Sequence, residues 1–363
     1  MAAVGRTLLI ILVVVLGIGA AAYFLGPQTA SRTQTLQIDR PAPTVLARLA
    51  STPVGATVTE GVTIAQAASV EGDVVTAPVT FADGATGRVV YTVTPEGEGS
   101  TVQVRLEQDL GANPLNRVDA ITGGDVAPLI ATAATAIETD LNALPTASFV
   151  GLAYNVVNIE ARPFFYIQNC APADAEAVED VVAQSLLALR PIMQRQNLQL
   201  AGEPIAVEPR VEANQYCYQI GYPYTGRPPR VLAVGAAGQT PAGQALRIVY
   251  TGTEDDVLAQ VYNPMDALLA AAHLDDPTTT DDDWTTFEVY HDDPTQVGGS
   301  RNREIYYVAE GDISALTRIA PPTAPAAVPT EAPAAAPAAT EPGATPAPAA
   351  TPAPAPAPAP ATP

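Results

Sequence analysis

Lysine is absent from this chain of 363 residues, since all 17 basic residues are arginine. Schiff-base enzymes, phosphate-loop nucleotide hydrolases and protein kinases each need a catalytic lysine, so the composition excludes these three classes. Only two cysteines, Cys170 and Cys217, and two histidines, His273 and His291, are present. This is too few for a zinc cluster of recognisable spacing, and we expect neither a metal nor another cofactor.

Positive charge is scarce as well. The 17 arginines stand against 38 acidic residues, which gives a formal net charge of -21. An acidic surface repels phosphate backbones, and binding to nucleic acid needs positive charge clustered on one face. We therefore expect no nucleic acid among the partners.

Residues 8–25, LLIILVVVLGIGAAAYFL, form an apolar run of 18 residues without a charge. As a helix this run spans roughly 27 Å, which is enough to cross a bilayer core. A cleaved secretory signal is the alternative, but the run is longer than a usual signal core. Arg6 and the short tail, residues 1–7, favour a cytoplasmic amino terminus, whereas Arg32 and Arg40 oppose it. The sequence predicts a single-pass anchor in the inner (cytoplasmic) membrane, with the body in the periplasm.

The carboxyl-terminal tail, residues 321–363, contains only Pro, Ala, Thr, Gly, one Val and two Glu. Such a segment cannot form a core and is predicted to be disordered. Repeated Ala-Pro favours extended polyproline II, so the tail is either a semi-rigid spacer or an unselective low-complexity segment.

Between these ends, residues 31–146 show a first folded pattern. Alternation predicts a strand at Thr33–Asp39, and an apolar stripe predicts a closing helix at Asp125–Leu144. The segments TQTLQIDRPAPTVLARL and DLGANPLNRVDAI resemble the SRPBCC (polyketide cyclase-like, START-like) superfamily. That resemblance implies a helix-grip fold, in which a curved antiparallel sheet wraps the last helix around a ligand cavity. Ser51–Ala68 lacks the aromatic residues usual for the family, which implies a smaller pocket and a structural role. Three further elements are predicted here: a helix at Thr44–Leu49 and a hairpin of strands at Gly87–Thr94 and Thr101–Leu106.

Residues 155–310 contain a weak internal repeat of the order β-α-β-β. Two such units should share one continuous sheet with their helices on one side, so the whole chain is predicted to be α+β. In the first unit we expect strands at Phe164–Asn169, Gln215–Tyr222 and Arg230–Val234, with a helix from about Ala173. In the second unit we expect strands at Gln244–Tyr250, Trp284–His291 and Arg303–Val308, with a helix at Glu254–Ala272.

The sequence of the second unit resembles the GyrI-like domain, the effector-binding domain of bacterial transcription activators. The residues that carry the resemblance are Phe287-Glu288-Val289-Tyr290, then His-Asp-Asp-Pro294, and Arg303-Glu304-Ile305-Tyr306-Tyr307. It implies a small-molecule-binding module whose pocket has an acid among aromatics and accepts amphipathic, often cationic, compounds. Glu288 stands at the acid position. Val308-Ala309 replaces the usual Ile-Pro pair, and no helix-turn-helix precedes the module, which disfavours transcription control.

Glu288 is the centre of the candidate site. A carboxylate enclosed by aromatic side chains is poorly solvated, so it is stabilised by a cation or takes up a proton. A solvated strand glutamate is the alternative. Glu288 with Tyr290 could also activate water, as some members of the family do to hydrolyse electrophilic compounds. The candidate ligand-binding residues are Glu288, Tyr290, Trp284, Tyr216, Tyr218 and Tyr262.

Cys170 and Cys217 are expected on neighbouring strands, where they form either a disulfide or two buried thiols. Taken together, these features predict a membrane-anchored protein that binds a small hydrophobic or cationic ligand. A hydrolase of small electrophilic compounds using Glu288 is one alternative. A non-catalytic envelope scaffold with vestigial pockets is the other.

Overall fold

The fold is given by a computed structural model of the chain. The structure describes residues 13–14, 17, 28–111, 117, 126–172, 174–212, 215–227, 234–275, 284–296, 301–309 and 311–323. Most of the predicted anchor, nearly all of the tail and all of Arg230–Val234 except Val234 therefore lie outside the described residues. Among those that are described, no helix has the length and apolarity needed to cross a membrane. The described part from residue 28 to residue 323 lies within one compact unit.

The first sheet has seven antiparallel strands in the order β1-β7-β6-β5-β3-β2, with β4 paired to β5. Its strands bury alternate residues, as β5 does along its whole length, because successive side chains point to opposite faces. Two helices, α1 (Ala42–Ala50) and α2 (Val126–Ala143), pack against the sheet. The arrangement is α+β and compatible with the helix-grip fold. The strands are β1 (Thr29–Ile38), β2 (Thr57–Thr59), β3 (Val62–Ile64), β4 (Ser69–Glu71), β5 (Val74–Phe81), β6 (Thr86–Glu96) and β7 (Gly99–Asp109).

The interior of the first sheet is filled by small and branched side chains. Ala133, Ala134 and Leu141 of α2 are buried against the sheet, together with many valines of the strands. Two cavities of the described structure lie elsewhere, one at the amino end of α1 and one on the second sheet.

The second sheet has nine strands in the order β13-β9-β12-β11-β15-β16-β14-β8, with β10 paired to β12. All described pairings are antiparallel. The strands are β8 (Asn155–Ile159), β9 (Pro163–Pro172), β10 (Gln199–Leu200), β11 (Ile205–Glu212), β12 (Gln215–Thr225), β13 (Ala236–Gln239), β14 (Gly243–Gly252), β15 (Trp284–Tyr290) and β16 (Arg301–Ala309).

The β-α-β-β order occurs twice in this sheet, and the two units meet where β11 pairs with β15. In the first unit α3 (Ala175–Arg195) connects β9 to β11 and β12, and it continues through Pro191 for one more turn. In the second unit the helical segment has three parts: α4 (Glu254–Val257), a π-helical turn (Leu258–Tyr262) and α5 (Asn263–Ala271). A last helix, α6 (Ser314–Ile319), follows β16.

The sequence patterns did not reveal one strand of the first unit. The strand expected at Gln215–Tyr222 is confirmed as β12, but β11 at Ile205–Glu212 was not predicted. The sequence of β11 does not show a regular strand pattern, because it contains charged residues and Pro209. Proline cannot donate a ladder hydrogen bond and is uncommon inside strands. The pairing of β11 with β12 shifts register between Val207 and Arg210, and this irregularity accommodates the proline.

The two sheets are joined through α1 and the end of α5. Arg48 of α1 donates to the carbonyl oxygen of Ala270 at 2.7 Å and also forms an ion pair with Asp140 of α2. The hydroxyl of Ser51 donates to the carbonyl of Ala271. These carbonyls belong to the last turn of α5, where backbone acceptors lack partners within the helix, so residues at the carboxyl end of α1 cap α5.

Cys170 of β9 lies directly opposite Cys217 of β12 in the antiparallel register. The structure joins the two residues by a disulfide with a sequence separation of 47. Both strands belong to the first β-α-β-β unit, so the disulfide ties its first strand to its last.

Candidate functional site

Glu288 lies in the middle of β15 and faces the helices. Its neighbours Phe287 and Val289 face the opposite side of the sheet, where they belong to a separate apolar cluster. The Glu288 residue is only 7 % exposed. It is therefore a buried acid and not a solvated strand residue.

Two side chains from other elements hold the Glu288 carboxylate. The Tyr262 hydroxyl, from the π-helical turn, donates to Oε1 at 2.7 Å, and Arg303 Nη1 donates to Oε2 at 2.9 Å. Burial raises the pKa of Glu288, but the charge of Arg303 and hydrogen bonds from Tyr290, Tyr262 and Arg303 outweigh it. The pKa consequently lies below its ordinary value.

Arg303 is bound in the way that an organic cation would be. Its side chain is 0 % exposed and lies 5.6 Å from the ring centroid of Tyr250 and 5.7 Å from that of Tyr290. Its Nη1 also donates to Oε2 of Glu254 at 2.7 Å. The guanidinium thus contacts two tyrosine rings and two carboxylates, the partners that favour a planar cation.

A second buried ion pair lies on the same face of β16. Arg301 forms an ion pair at 3.3 Å with Glu179 of α3, and it also donates to the carbonyl of Gln296 at 3.0 Å. Arg301 and Arg303 are two residues apart on one strand, so both side chains point towards the helices. We call these five residues the charge cluster: Glu179, Glu254, Glu288, Arg301 and Arg303.

The charge cluster contains three carboxylates and two guanidinium groups, so it has a surplus of one acid. Burial and the nearby charge of Glu288 raise the pKa of Glu254 to about 7, although Arg303 lowers it. Nε and Nη2 of Arg303 are also buried without a hydrogen-bond partner among the described residues. Unpaired buried donors are costly, so both the charge and the hydrogen bonding of this cluster are incomplete.

The aromatic residues predicted for the site divide into two groups. Tyr262 and Tyr290 contact Glu288. Trp284, at the start of β15, donates from its indole nitrogen to the carbonyl of Leu274 at 3.2 Å. Tyr218 on β12 packs against the core cluster that contains Tyr290, and Tyr216, two residues before it on the same strand, pairs with Ala171. The sequence reasoning missed Tyr250, Glu254 and Arg303.

The chemistry of Glu288 and Tyr290 favours binding over proton transfer. A general base works best when its pKa is near the operating pH, whereas the pKa of Glu288 is lowered by its ion pair. Tyr290 is fully buried, and burial with the charge of Glu288 raises its pKa well above the ordinary value. Among the described residues no group of three His, Cys, Asp or Glu side chains could hold a metal ion.

Two cavities occur elsewhere in the described structure. One, of about 530 Å³, is an open groove at the amino end of α1, lined by Pro41, Pro43 and Pro95 among others. The other, of about 220 Å³, lies on the face of the second sheet that points away from α3, α4 and α5. Neither is lined by a residue of the charge cluster.

No family model matches this chain, and a comparison with curated proteins finds no match either. Among solved structures, a hydrolase from Listeria innocua is similar over 43 % of this chain and 90 % of its own, with 9 % identity and a TM-score of 0.28. The di-domain ARO/CYC protein StfQ from the steffimycin biosynthetic pathway is similar over 81 % of this chain and 89 % of its own, with 15 % identity and a TM-score of 0.16. Scores this low do not establish a shared function.

Proposed function

We propose that this chain is a membrane-anchored, non-catalytic protein that binds small cationic or amphipathic organic molecules at the charge cluster. The observation that carries the proposal is the surplus carboxylate in a buried site. A buried acid without a full counter-charge takes up a proton or binds a cation. The raised pKa of Glu254, about 7, supports the view that both outcomes compete near neutrality.

The surroundings of Arg303 support an organic cation over a metal ion. Tyrosine rings attract a cation by roughly 0.5 to 2 kcal/mol for each well-placed contact. Arg303 already uses the rings of Tyr250 and Tyr290, so a ligand of similar shape could use the same partners once the arginine side chain moves. The resemblance of residues 155–310 to GyrI-like domains agrees with this ligand class.

A scaffold without a ligand is the second candidate, and one observation favours it. Arg303 is fully buried and already neutralises Glu288, so the Glu288 carboxylate is not available to bind a ligand. Under this hypothesis the pairing of Arg303 is a permanent part of the core. Thermal unfolding in the presence of a cationic and a neutral ligand separates the two candidates.

The test measures thermal unfolding of the full-length protein in detergent with benzamidinium, a planar aromatic cation, and with neutral benzamide of nearly the same shape. A ligand at a hundredfold its dissociation constant stabilises a protein by about 2.7 kcal/mol. We expect benzamidinium to raise the melting temperature and benzamide to leave it unchanged. Glu254→Gln should remove most of the effect, because the surplus carboxylate is then absent.

Glu304→Gln is the matched control, since Glu304 lies on β16 but pairs with Arg247 on the opposite face of the sheet. The control should retain the response to benzamidinium. Equal responses to both compounds, or a full response in Glu254→Gln, would contradict cation binding at the cluster. Absence of any response would favour the scaffold.

A further inference from the structure

The cavity of about 220 Å³ lies on the face of the second sheet opposite the charge cluster. Its floor consists of apolar and aromatic side chains that point away from the helices. The rings of Phe287 and Tyr306 stack there with centroids 4.6 Å apart and an interplanar angle of 3°. Ile205 and Val289 complete the floor.

Two chain connections cover this floor. Strands β8 and β9 lie near opposite margins of the sheet in pairing order, yet only residues 160–162 join them, and a link of this length reaches at most roughly 14 Å. The sheet therefore curls so that its margins approach each other, and residues 160–162 cross between them. Residues 240–242, which join β13 to β14, cross between the same margins. The two crossings are joined by reciprocal hydrogen bonds, from Arg162 N to Thr240 Oγ1 at 3.0 Å and from Thr240 N to Arg162 O at 2.9 Å. The cavity is therefore built from ordered backbone and is not a gap between loose loops.

The first crossing places one acid and one base beside the cavity. Glu160 and Arg162 both line it, and neither has an ion-pair partner among the described residues. Glu304, on the same face, is already paired, because it accepts hydrogen bonds from Arg247 and Tyr306 and lies 3.3 Å from His291. A ligand here therefore meets one positive group, one negative group and an aromatic floor.

We propose that this cavity binds a small zwitterion with an apolar body, of the class of α-amino acids with aromatic or aliphatic side chains. Arg162 binds the carboxylate, Glu160 binds the ammonium group, and the apolar side chain lies on the Phe287–Tyr306 stack. The volume agrees with this size, because about 150 Å³ already encloses benzene whereas drug-sized ligands need about 300 Å³ or more. The site is independent of the charge cluster, from which the sheet separates it.

Isothermal titration of the full-length protein with L-phenylalanine, phenylacetate and 2-phenylethylamine tests the assignment. Phenylalanine should bind at least tenfold more tightly than the other two compounds, since each of them lacks one charged group. Arg162→Gln and Glu160→Gln should each weaken phenylalanine binding at least tenfold. Arg195→Gln and Glu176→Gln, two substitutions of exposed residues on α3, should leave it unchanged.

Failure of phenylalanine to bind, or equal binding of phenylacetate, would overturn the proposal. So would a loss of affinity in the α3 controls as large as in the variants of the crossing. The benzamidinium response gives an independent readout, because it should be retained in Arg162→Gln and lost in Glu254→Gln. The proposal for the charge cluster and the proposal for the cavity can therefore be rejected independently.

Discussion

At the scale of single residues, Arg303 determines the state of the candidate site. Removing one partner of a buried ion pair leaves an uncompensated charge and costs about 3–5 kcal/mol. We expect Arg303→Met to lower the free energy of unfolding by about this amount in urea titrations. The double variant Arg303→Met/Glu288→Leu should recover part of the loss, because it removes the buried Glu288 carboxylate but leaves Glu254, which Arg303 also contacts.

Arg32→Met serves as the control for this pair of variants. Arg32 is exposed, and its described side-chain hydrogen bond goes only to the neighbouring carbonyl of Ser31. If Arg303→Met were no more destabilising than Arg32→Met, the ion pair with Glu288 would not be an important contact of the folded protein.

The raised pKa of Glu254 predicts that the free energy of unfolding depends on pH. Its pKa is about 7 in the folded protein against an ordinary value of 4.5, so the folded state binds more protons than the unfolded state between these values. The free energy of unfolding should therefore fall as pH rises from about 4.5 to about 7, by at most about 1.4 kcal/mol per pH unit, and then level off. Urea titrations across this range should show a smaller slope in Glu254→Gln.

A second group contributes at higher pH, from its ordinary pKa of 6.5 upwards. His291 lies between Glu203 and Glu304; although burial lowers its pKa, the two carboxylates raise it above its ordinary value. Its stabilisation is also lost as pH rises through the raised pKa, so His291→Asn is needed to separate the two contributions. A slope between pH 4.5 and 6.5 that persists unchanged in Glu254→Gln would contradict the assignment to Glu254, whereas the decrease that continues above pH 6.5 should disappear in His291→Asn.

The sequence could identify Glu288 and its contacts with Tyr262 and Tyr290, but not the cation that neutralises it. Arg303 lies two residues before Ile305 and four before Tyr307 on one strand, so it points to the same side as these core residues. This alternation could have shown from the sequence that Arg303 is buried. A basic residue at a core-facing position implies a buried acid nearby. Glu254 could not be found in this way, because its position depends on how the helical segment packs over the sheet.

At the scale of elements, the Cys170–Cys217 disulfide closes the first β-α-β-β unit. A cross-link between residues 47 apart removes conformational entropy from the unfolded chain worth roughly 4 kcal/mol. Cys170→Ser/Cys217→Ser should therefore lower the free energy of unfolding by about that amount. Guanidinium titrations of the wild-type protein with and without reductant provide the same comparison, and identical curves would contradict the bond.

Strand and helix patterns were readable from the sequence where one face of an element is buried. The hairpin of β6 and β7, the closing helix α2 and the strands β14 to β16 follow alternation or helical spacing, since a single buried face produces that signal. Strand β11 lacked it, because a proline and an irregular pairing interrupt its pattern. The π-helical turn Leu258–Tyr262 was also missed, although it presents Tyr262 to Glu288.

At the scale of the whole molecule, the proposed anchor and the disulfide lead to one prediction about location. Disulfides form and persist in oxidising compartments, so the bond between Cys170 and Cys217 agrees with a body outside the cytoplasm. Alkaline phosphatase, itself dependent on disulfides, should be active when fused after residue 320. A fusion that lacks residues 1–27 should be inactive, because the proposed anchor, which would direct export, is then missing. An inactive full-length fusion beside an active cytoplasmic reporter at the same position would place the body in the cytoplasm and remove the envelope from the proposed function.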